Sequence, residues 1–206
     1  MLIESAAIFA PEAGQEGAPA LIGPNAVLQI VSALELYLGK GEARLLCQQS
    51  GNTLLPSDHA MIPEEDALRL HRALAVLGPC KAEQIARAAG CGTADYIIAN
   101  RIPGCAVSLL CWLPSSLSAP LLMAAIKRHA WTFIGAGRFE PAGPWSFRIE
   151  RTEFASLGKE LDTLAIWYSA VFERLYRRLV DRNSECRMNA PRASRPELRE
   201  FSLTRS

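Results

Sequence analysis

The run from Ile102 to Ile126 carries no charged side chain, and Arg101 and Lys127 bound it. Its 25 residues exceed the roughly 20 that a helix needs to cross a bilayer. The segment therefore decides between a membrane-spanning chain and a folded globule. Pro103, Pro114 and Pro120 interrupt it, and Ser108, Ser115, Ser116 and Ser118 place hydroxyls along it. Hydrocarbon offers no water to the backbone groups that a proline leaves unpaired. The expectation is two short buried helices meeting at Leu113-Pro114. A span is set aside, and peripheral contact with a membrane surface stays open.

The chain has 206 residues, 50% of them hydrophobic, enough for one sizeable domain with its own core. Residues 1–20, rich in Ala, Gly, Pro and Glu, read as a loosely ordered N-terminal segment, and 21–206 as the domain. A net charge of +1 argues against nucleic acid as the main partner, because a phosphate footprint normally appears as a basic excess. The charge is unevenly spread: residues 1–39 hold no Lys or Arg, while nine Arg face four acids from Arg174 onward. The N-terminus lacks the positive region of a secretory signal. The six cysteines form no C-x-x-C pair. Together these point to reduced, buried thiols in a cytoplasmic protein.

Periodicity supplies the elements. Gly23-Pro24-Asn25 opens a helix with Val27, Leu28, Val31, Leu34 and Leu38 on one face, stopped by Gly39, and a polar loop covers 48–58. Pro63 followed by Glu64, Glu65 and Asp66 starts another helix, with acids at the positive end of its dipole. It continues through Leu70, Leu74 and Leu77 to Gly78. Two helices over 81–89 and 93–101 precede the broken apolar pair, which extends from Gly104 to Phe133. Phe139, Trp145, Phe147 and Ile149 then alternate around Ala142-Gly143-Pro144 as a β-hairpin. The last helix, 161–180, buries Leu164, Tyr168, Val171, Leu175 and Leu179, with Glu173 and Arg177 paired on its wet side. Glu200–Leu203 reads as a closing strand. Helices outnumber strands, and the class is α+β.

Common catalytic signatures are missing. "GAGRF" lacks the third glycine of a dinucleotide fingerprint and follows a helix, and no phosphate loop, HExxH or GxSxG occurs. No cysteine spacing suits a cluster or zinc. What remains is "IKRHAWTFIGAGRFE". At about 100° per residue, His129 and Phe133 share a helix face and Trp131 points elsewhere, toward the core. An imidazole beside an aromatic ring can ligate a central metal while the ring stacks on a macrocycle; equally, His129 is a helix-end histidine satisfied by a carbonyl. His71 lies on the acid-capped helix, as a candidate ligand or a half-exposed polar residue. Tyr96 reads as a core aromatic carrying its hydroxyl to a partner. Trp112 is the aromatic of the uncharged run.

Five stretches, "LIGPNAVLQIVSALE", "RLHRAL", "TADYIIANRIP", "IKRHAWTFIGAGRF" and "WYSAVFERLYRRLV", together resemble the bacteriochlorophyll 4-vinyl reductase family over about residues 20 to 203. The resemblance implies a fold shared with haem-nitric-oxide sensors and TRAPP trafficking subunits. That fold is a helical layer on a small antiparallel sheet around an apolar cavity, often dimeric. It also implies work on Mg-porphyrin intermediates of bacteriochlorophyll synthesis, alongside that pathway's enzymes. The family name asserts reduction of the 8-vinyl group, and the family is also regarded as a tetrapyrrole carrier. The cysteine pattern departs from related domains: Ala165 and Arg199 stand where thiols are common, and only Cys186 remains. No protein-held metal is expected.

Three functions follow: a tetrapyrrole carrier, a vinyl reductase of divinyl protochlorophyllide or chlorophyllide using a partner's electrons, and a trafficking-type module holding a lipid chain. The carrier is preferred, with no intrinsic cofactor and a Mg-porphyrin as bound ligand. His129 is the expected axial ligand, Phe133 stacks one turn later, and Lys127 and Arg128 meet a propionate at the mouth. His71 is the second ligand candidate, and Tyr96, Trp112 and Trp131 complete the expected surroundings. The pocket itself is expected between residues 102–126 and these aromatics.

Overall fold

The computed structural model describes residues 19–52, 56–57, 60–156 and 162–205. Most of the N-terminal segment expected to be loosely ordered, and His59, lie outside them.

Helix α9 (Thr163–Leu179) is the central element. Asp162 caps it by accepting from the Ala165 backbone N–H at 3.0 Å. The Arg199 guanidinium, itself buried, pairs with the same carboxylate at 2.7 Å. Thus Arg199 ties the last strand to the start of α9. The expected stripe of Leu164, Tyr168, Val171, Leu175 and Leu179 is buried, as are Trp167, Phe172 and Tyr176. A helix buried over so much of its circumference must have neighbours on several sides.

One neighbour is a sheet. Strands β3 (Arg138–Gly143), β4 (Ser146–Glu150), β5 (Ser184–Met188) and β6 (Leu198–Arg205) form an antiparallel sheet in the order β3-β4-β6-β5. Phe147 of β4 stacks on Phe172 of α9 at 3.8 Å and on Phe201 of β6 at 4.7 Å. The expected hairpin and closing strand are both present, and Glu173 pairs with Arg177 at 3.3 Å.

The other neighbours are helices. α4 (Pro79–Asn100) packs along α9 and α1 (Asn25–Leu38) packs on α4, while α3 (Glu64–Leu74) touches α9, α4 and α1, and α2 (Lys40–Gln49) lies against α1 and α3. Short strands β1 (Leu21–Ile22) and β2 (Ile62–Pro63) pair antiparallel at the entry to α3. Beyond α4 come α5 (Gly104–Trp112), α6 (Ser115–His129) and α7 (Trp131–Ile134), and α8 (Glu153–Ser156) follows β4. Helices layered on a small antiparallel sheet make this an α+β fold, as expected.

Several expectations are corrected. The helices expected at 81–89 and 93–101 are one helix, α4. The glycines that read as a break are contact points. A Cβ at Gly90 would lie 2.6 Å from the Trp167 carbonyl oxygen, and one at Gly92 2.4 Å from Gln29 Oε1. Thr93, where the second of these helices was expected to begin, lies inside α4, and its hydroxyl donates to the Ala89 carbonyl one turn back at 2.9 Å. Gly39, at φ +83°, does end α1, but the chain re-enters a helix at once and α2 occupies the stretch before the loop. Pro120 sits inside α6 and does not break it. Of the cysteines read as buried, Cys80, Cys105 and Cys111 are exposed. Among the described residues no helix is long and apolar enough to cross a membrane.

Candidate functional site

Glu64, the first residue of α3, does more than complement a helix dipole. Its neighbours Glu65 and Asp66 pair locally with Arg72 and Arg69. Glu64 instead reaches across the molecule, accepting from Arg151 Nη2 at 2.8 Å and from the Ala136 backbone N–H at 3.0 Å. Gly135 makes this approach possible: its φ is +57°, and a Cβ there would lie 1.7 Å from Glu64 Oε2. Arg151, buried just after β4, also donates to Tyr168 Oη at 3.2 Å and to Glu153 at 3.2 Å. Tyr168 passes the chain on, donating to the Phe133 carbonyl at 3.1 Å. Four segments distant in sequence meet in one hydrogen-bonded cluster.

Beside this cluster lies a small interior cavity of about 20 Å³, bordered by Glu64, His71, Phe133, Arg151, Trp167 and Tyr168 among others. That is room for about one water-sized group. His71 is 1% exposed. Thr163 Oγ1 lies 3.1 Å from the His71 carbonyl oxygen, to which it can donate, and 3.3 Å from His71 Nδ1, with which it forms a hydrogen bond in either tautomer. Burial, with the nearby Arg151 charge adding to it, pushes the His71 pKa down to about 3, so the ring is neutral near pH 7. Trp167 stands edge-on to this ring at 6.2 Å, and its buried indole N–H has no partner among the described residues.

A second, open cleft of about 450 Å³ lies outside, lined by Lys127 at the end of α6 and by Arg138, Phe139, Glu140, Pro141, Ala142 and Arg148 of the hairpin. Arg138 pairs with Glu140, and Arg148 with Glu200 at 3.1 Å. Phe139, on the floor of this cleft, touches Phe133, on the wall of the inner cavity, edge to face at 5.9 Å. This ring contact links the lining of one space to the lining of the other.

The sequence-derived residues separate accordingly. Lys127 reaches the outer cleft, and Phe133 and His71 share the inner cavity. His129 and Arg128 are exposed and border neither. His129 and Phe133 do not share a face: the Ala130 N–H bonds to the Lys127 carbonyl three residues back, and this tighter turn rotates Phe133 inward. The turn is held by Thr132 Oγ1, which donates to the His129 carbonyl at 2.8 Å. Trp131, expected in the core, is 49% exposed. His71, read as either a candidate ligand or a half-exposed polar residue, is buried. Tyr96 lies near the end of α4 with Arg101 over its ring at 5.9 Å, far in sequence and contact from either space. Trp112 is 86% exposed and borders neither space. Glu64, Arg151, Tyr168 and Trp167 were missed as site residues. Glu64 was hidden in a run of three acids, and Arg151 carried no local signal.

No family model matches the chain. It is similar to the bacteriochlorophyll synthase 23 kDa chain of Rhodobacter capsulatus, 42% identical over 161 residues, which are 77% of this chain and 75% of the relative. The protein of that name from Cereibacter sphaeroides is 42% identical over 170 residues, 80% of this chain and 82% of the relative. A solved structure described as "Modulating Heme Redox Potential Through Protein-Induced Porphyrin Distortion" shares the fold. Its TM-score is 0.53 at 9% identity, covering 90% of this chain and 95% of that one. By its identity to the two relatives across most of their length, the chain belongs to the family of the bacteriochlorophyll synthase 23 kDa chain.

Proposed function

We propose that this protein binds a Mg-porphyrin intermediate of bacteriochlorophyll biosynthesis and carries it between enzymes of that pathway. The observation that carries this reading is the outer cleft, with the Phe139 ring on its floor and Lys127, Arg138 and Arg148 on its rim. A tetrapyrrole has these two characters, an apolar plane and carboxylate arms. Cationic donors on the rim suit a propionate, because charge-assisted hydrogen bonds are the strong ones. Burying about 400 Å² of macrocycle is worth roughly 10 kcal/mol before association costs, which leaves micromolar affinity within reach. The names of the relatives support the pathway, and the haem protein of like fold supports a flat macrocycle as cargo.

For the axial position, the geometry favours His71 over His129. His71 is a buried neutral ring with Thr163 Oγ1 at 3.3 Å from Nδ1, and in the tautomer that donates Nδ1–H to Thr163 it presents Nε2 to a metal, the arrangement usual for ligating histidines. Reaching it requires the Phe133–Phe139 contact to open, so that the macrocycle enters from the outer cleft toward the inner cavity. Residues 21–206 act as one domain in this reading, with no cofactor of their own.

The test is titration of the purified protein with Mg-protoporphyrin and with the metal-free form. Binding shifts the Soret band and quenches tryptophan emission, and K127E/R148E weakens it at least about tenfold through loss of the propionate contacts. His71→Ala, but not His129→Ala, removes the preference for the metallated form. No spectral change at tens of micromolar pigment overturns carriage. Conversion of divinyl to monovinyl pigment by the pure protein with NADPH replaces it with the reductase reading.

A further inference from the structure

The uncharged run folds as expected into two helices, but it is not buried as expected. On α5, Leu109 and Trp112 stand three residues apart on one outward face; on α6, Leu117 and Leu121 stand four apart on another. Trp112 and Leu117 flank the Leu113-Pro114 turn, and all four side chains are at least half exposed. Exposed apolar groups are ordinary when scattered, whereas four large ones on two consecutive helices joined by one turn are a candidate contact surface. The face is not the pigment site proposed above, since none of these four borders the inner cavity or the outer cleft.

The charged residues that flank the run in the sequence are cations. Arg101 precedes the run and Lys127 and Arg128 follow it, with Arg128 continuing the Leu117–Leu121–Ala124 stripe at spacings of four, three and four. Arg205 of β6 donates to Ser115 Oγ at 2.6 Å, which holds its guanidinium beside the first turn of α6. The Arg178 carbonyl accepts from Cys111 Sγ at 3.4 Å, which sets that residue against α5. All five cations are exposed, and none forms an ion pair among the described residues. The sheet treats its arginines differently: Arg148 and Arg192 pair with Glu200, and Arg195 with Glu150.

We infer that the α5–α6 corner docks on an anionic lipid bilayer, with Trp112, Leu109, Leu117 and Leu121 entering the headgroup boundary and the five cations meeting lipid phosphates. Apolar side chains with a tryptophan, ringed by Lys and Arg, are what an interfacial anchor requires. A second copy of this chain fits worse. A two-fold interface on this face would oppose like patches, and so bring arginines against arginines with no acid in residues 102–126 to pair them.

The test is partition of the purified chain into phosphatidylglycerol–phosphatidylcholine vesicles against phosphatidylcholine alone, by co-sedimentation and by tryptophan emission. The expected result is binding to the anionic vesicles with a blue shift, weakened by salt. Arg128→Ala lowers the partition coefficient about fivefold, and Trp112→Ala at least about tenfold and removes most of the blue shift. Both are surface positions, and unchanged circular dichroism shows that the fold is kept. Equal partition into the two vesicle types, no partition, or partition unaffected by Trp112→Ala overturns the inference. So does a dimer in sedimentation velocity that Trp112→Ala dissociates while vesicle binding stays absent. None of these outcomes depends on pigment binding.

Discussion

The cluster around Arg151 and the corner at Trp112 are opposites built from one chain. The first gathers polar residues from four separate segments into the interior and satisfies nearly all of them. The second takes one continuous apolar stretch and leaves much of it in the open. In the interior a polar group must be partnered or it costs free energy, so the cluster is interlocked and any single loss propagates. At the surface nothing has to match, and stability is indifferent to the side chain present. The lesson is that polarity of sequence does not give depth in the fold; an arginine lies inside here and a leucine-rich run outside.

The contrast is sharpest at Arg151 itself. Arg151→Met strands the Glu64 carboxylate, whose other partner is one backbone N–H, and lowers unfolding stability by about 3–5 kcal/mol in urea titration. Replacing both members with apolar residues recovers most of that loss. A stability change in R151M no larger than that of a surface substitution would break the comparison.

His71 gives a smaller, pH-dependent effect. Its folded pKa is depressed to about 3, while an unfolded histidine titrates near 6.5. Below about 6.5 the unfolded chain takes up the proton first. The stabilisation is therefore fully present above that pH and declines as pH falls toward 3. Between pH 7 and pH 5 the His71 contribution amounts to about 2 kcal/mol. His71→Gln should flatten this slope in denaturant midpoints measured across that range, and an unchanged slope would remove the buried neutral imidazole from the account.

At the other end, Leu117→Ser on the exposed face of α6 should move the unfolding midpoint by less than about 0.5 kcal/mol. A larger loss would mean that this face is covered, and the two regions would cease to be opposites.

Most of the elements were legible because they depend on local rules. The stripe of α9, the hairpin at Ala142-Gly143-Pro144 and the proline boundaries of α5 and α6 each follow from side-chain period or turn chemistry within a few residues. Elements were misread where a local signal was overruled from outside. Gly90 and Gly92 read as a break until Trp167 and Gln29 are seen to need the space. The candidate site was less legible. Lys127, Phe133 and His71, picked out by type and neighbourhood, line the two spaces, whereas Trp112 and Trp131 face solvent.

By itself the sequence determined the α+β class, the place of the central helix, the two-helix reading of residues 102–126 and a likeness to proteins of bacteriochlorophyll synthesis. These are carried by periodicity, by breakers and by shared motifs, all of which act along the chain. Only the tertiary structure decided that Glu64 answers Arg151 across 87 positions, that His71 rather than His129 is the buried neutral imidazole, and that the apolar run faces outward. Each of these depends on which surfaces meet, and burial sets a side chain's charge and partners only once its neighbours from distant segments are in place.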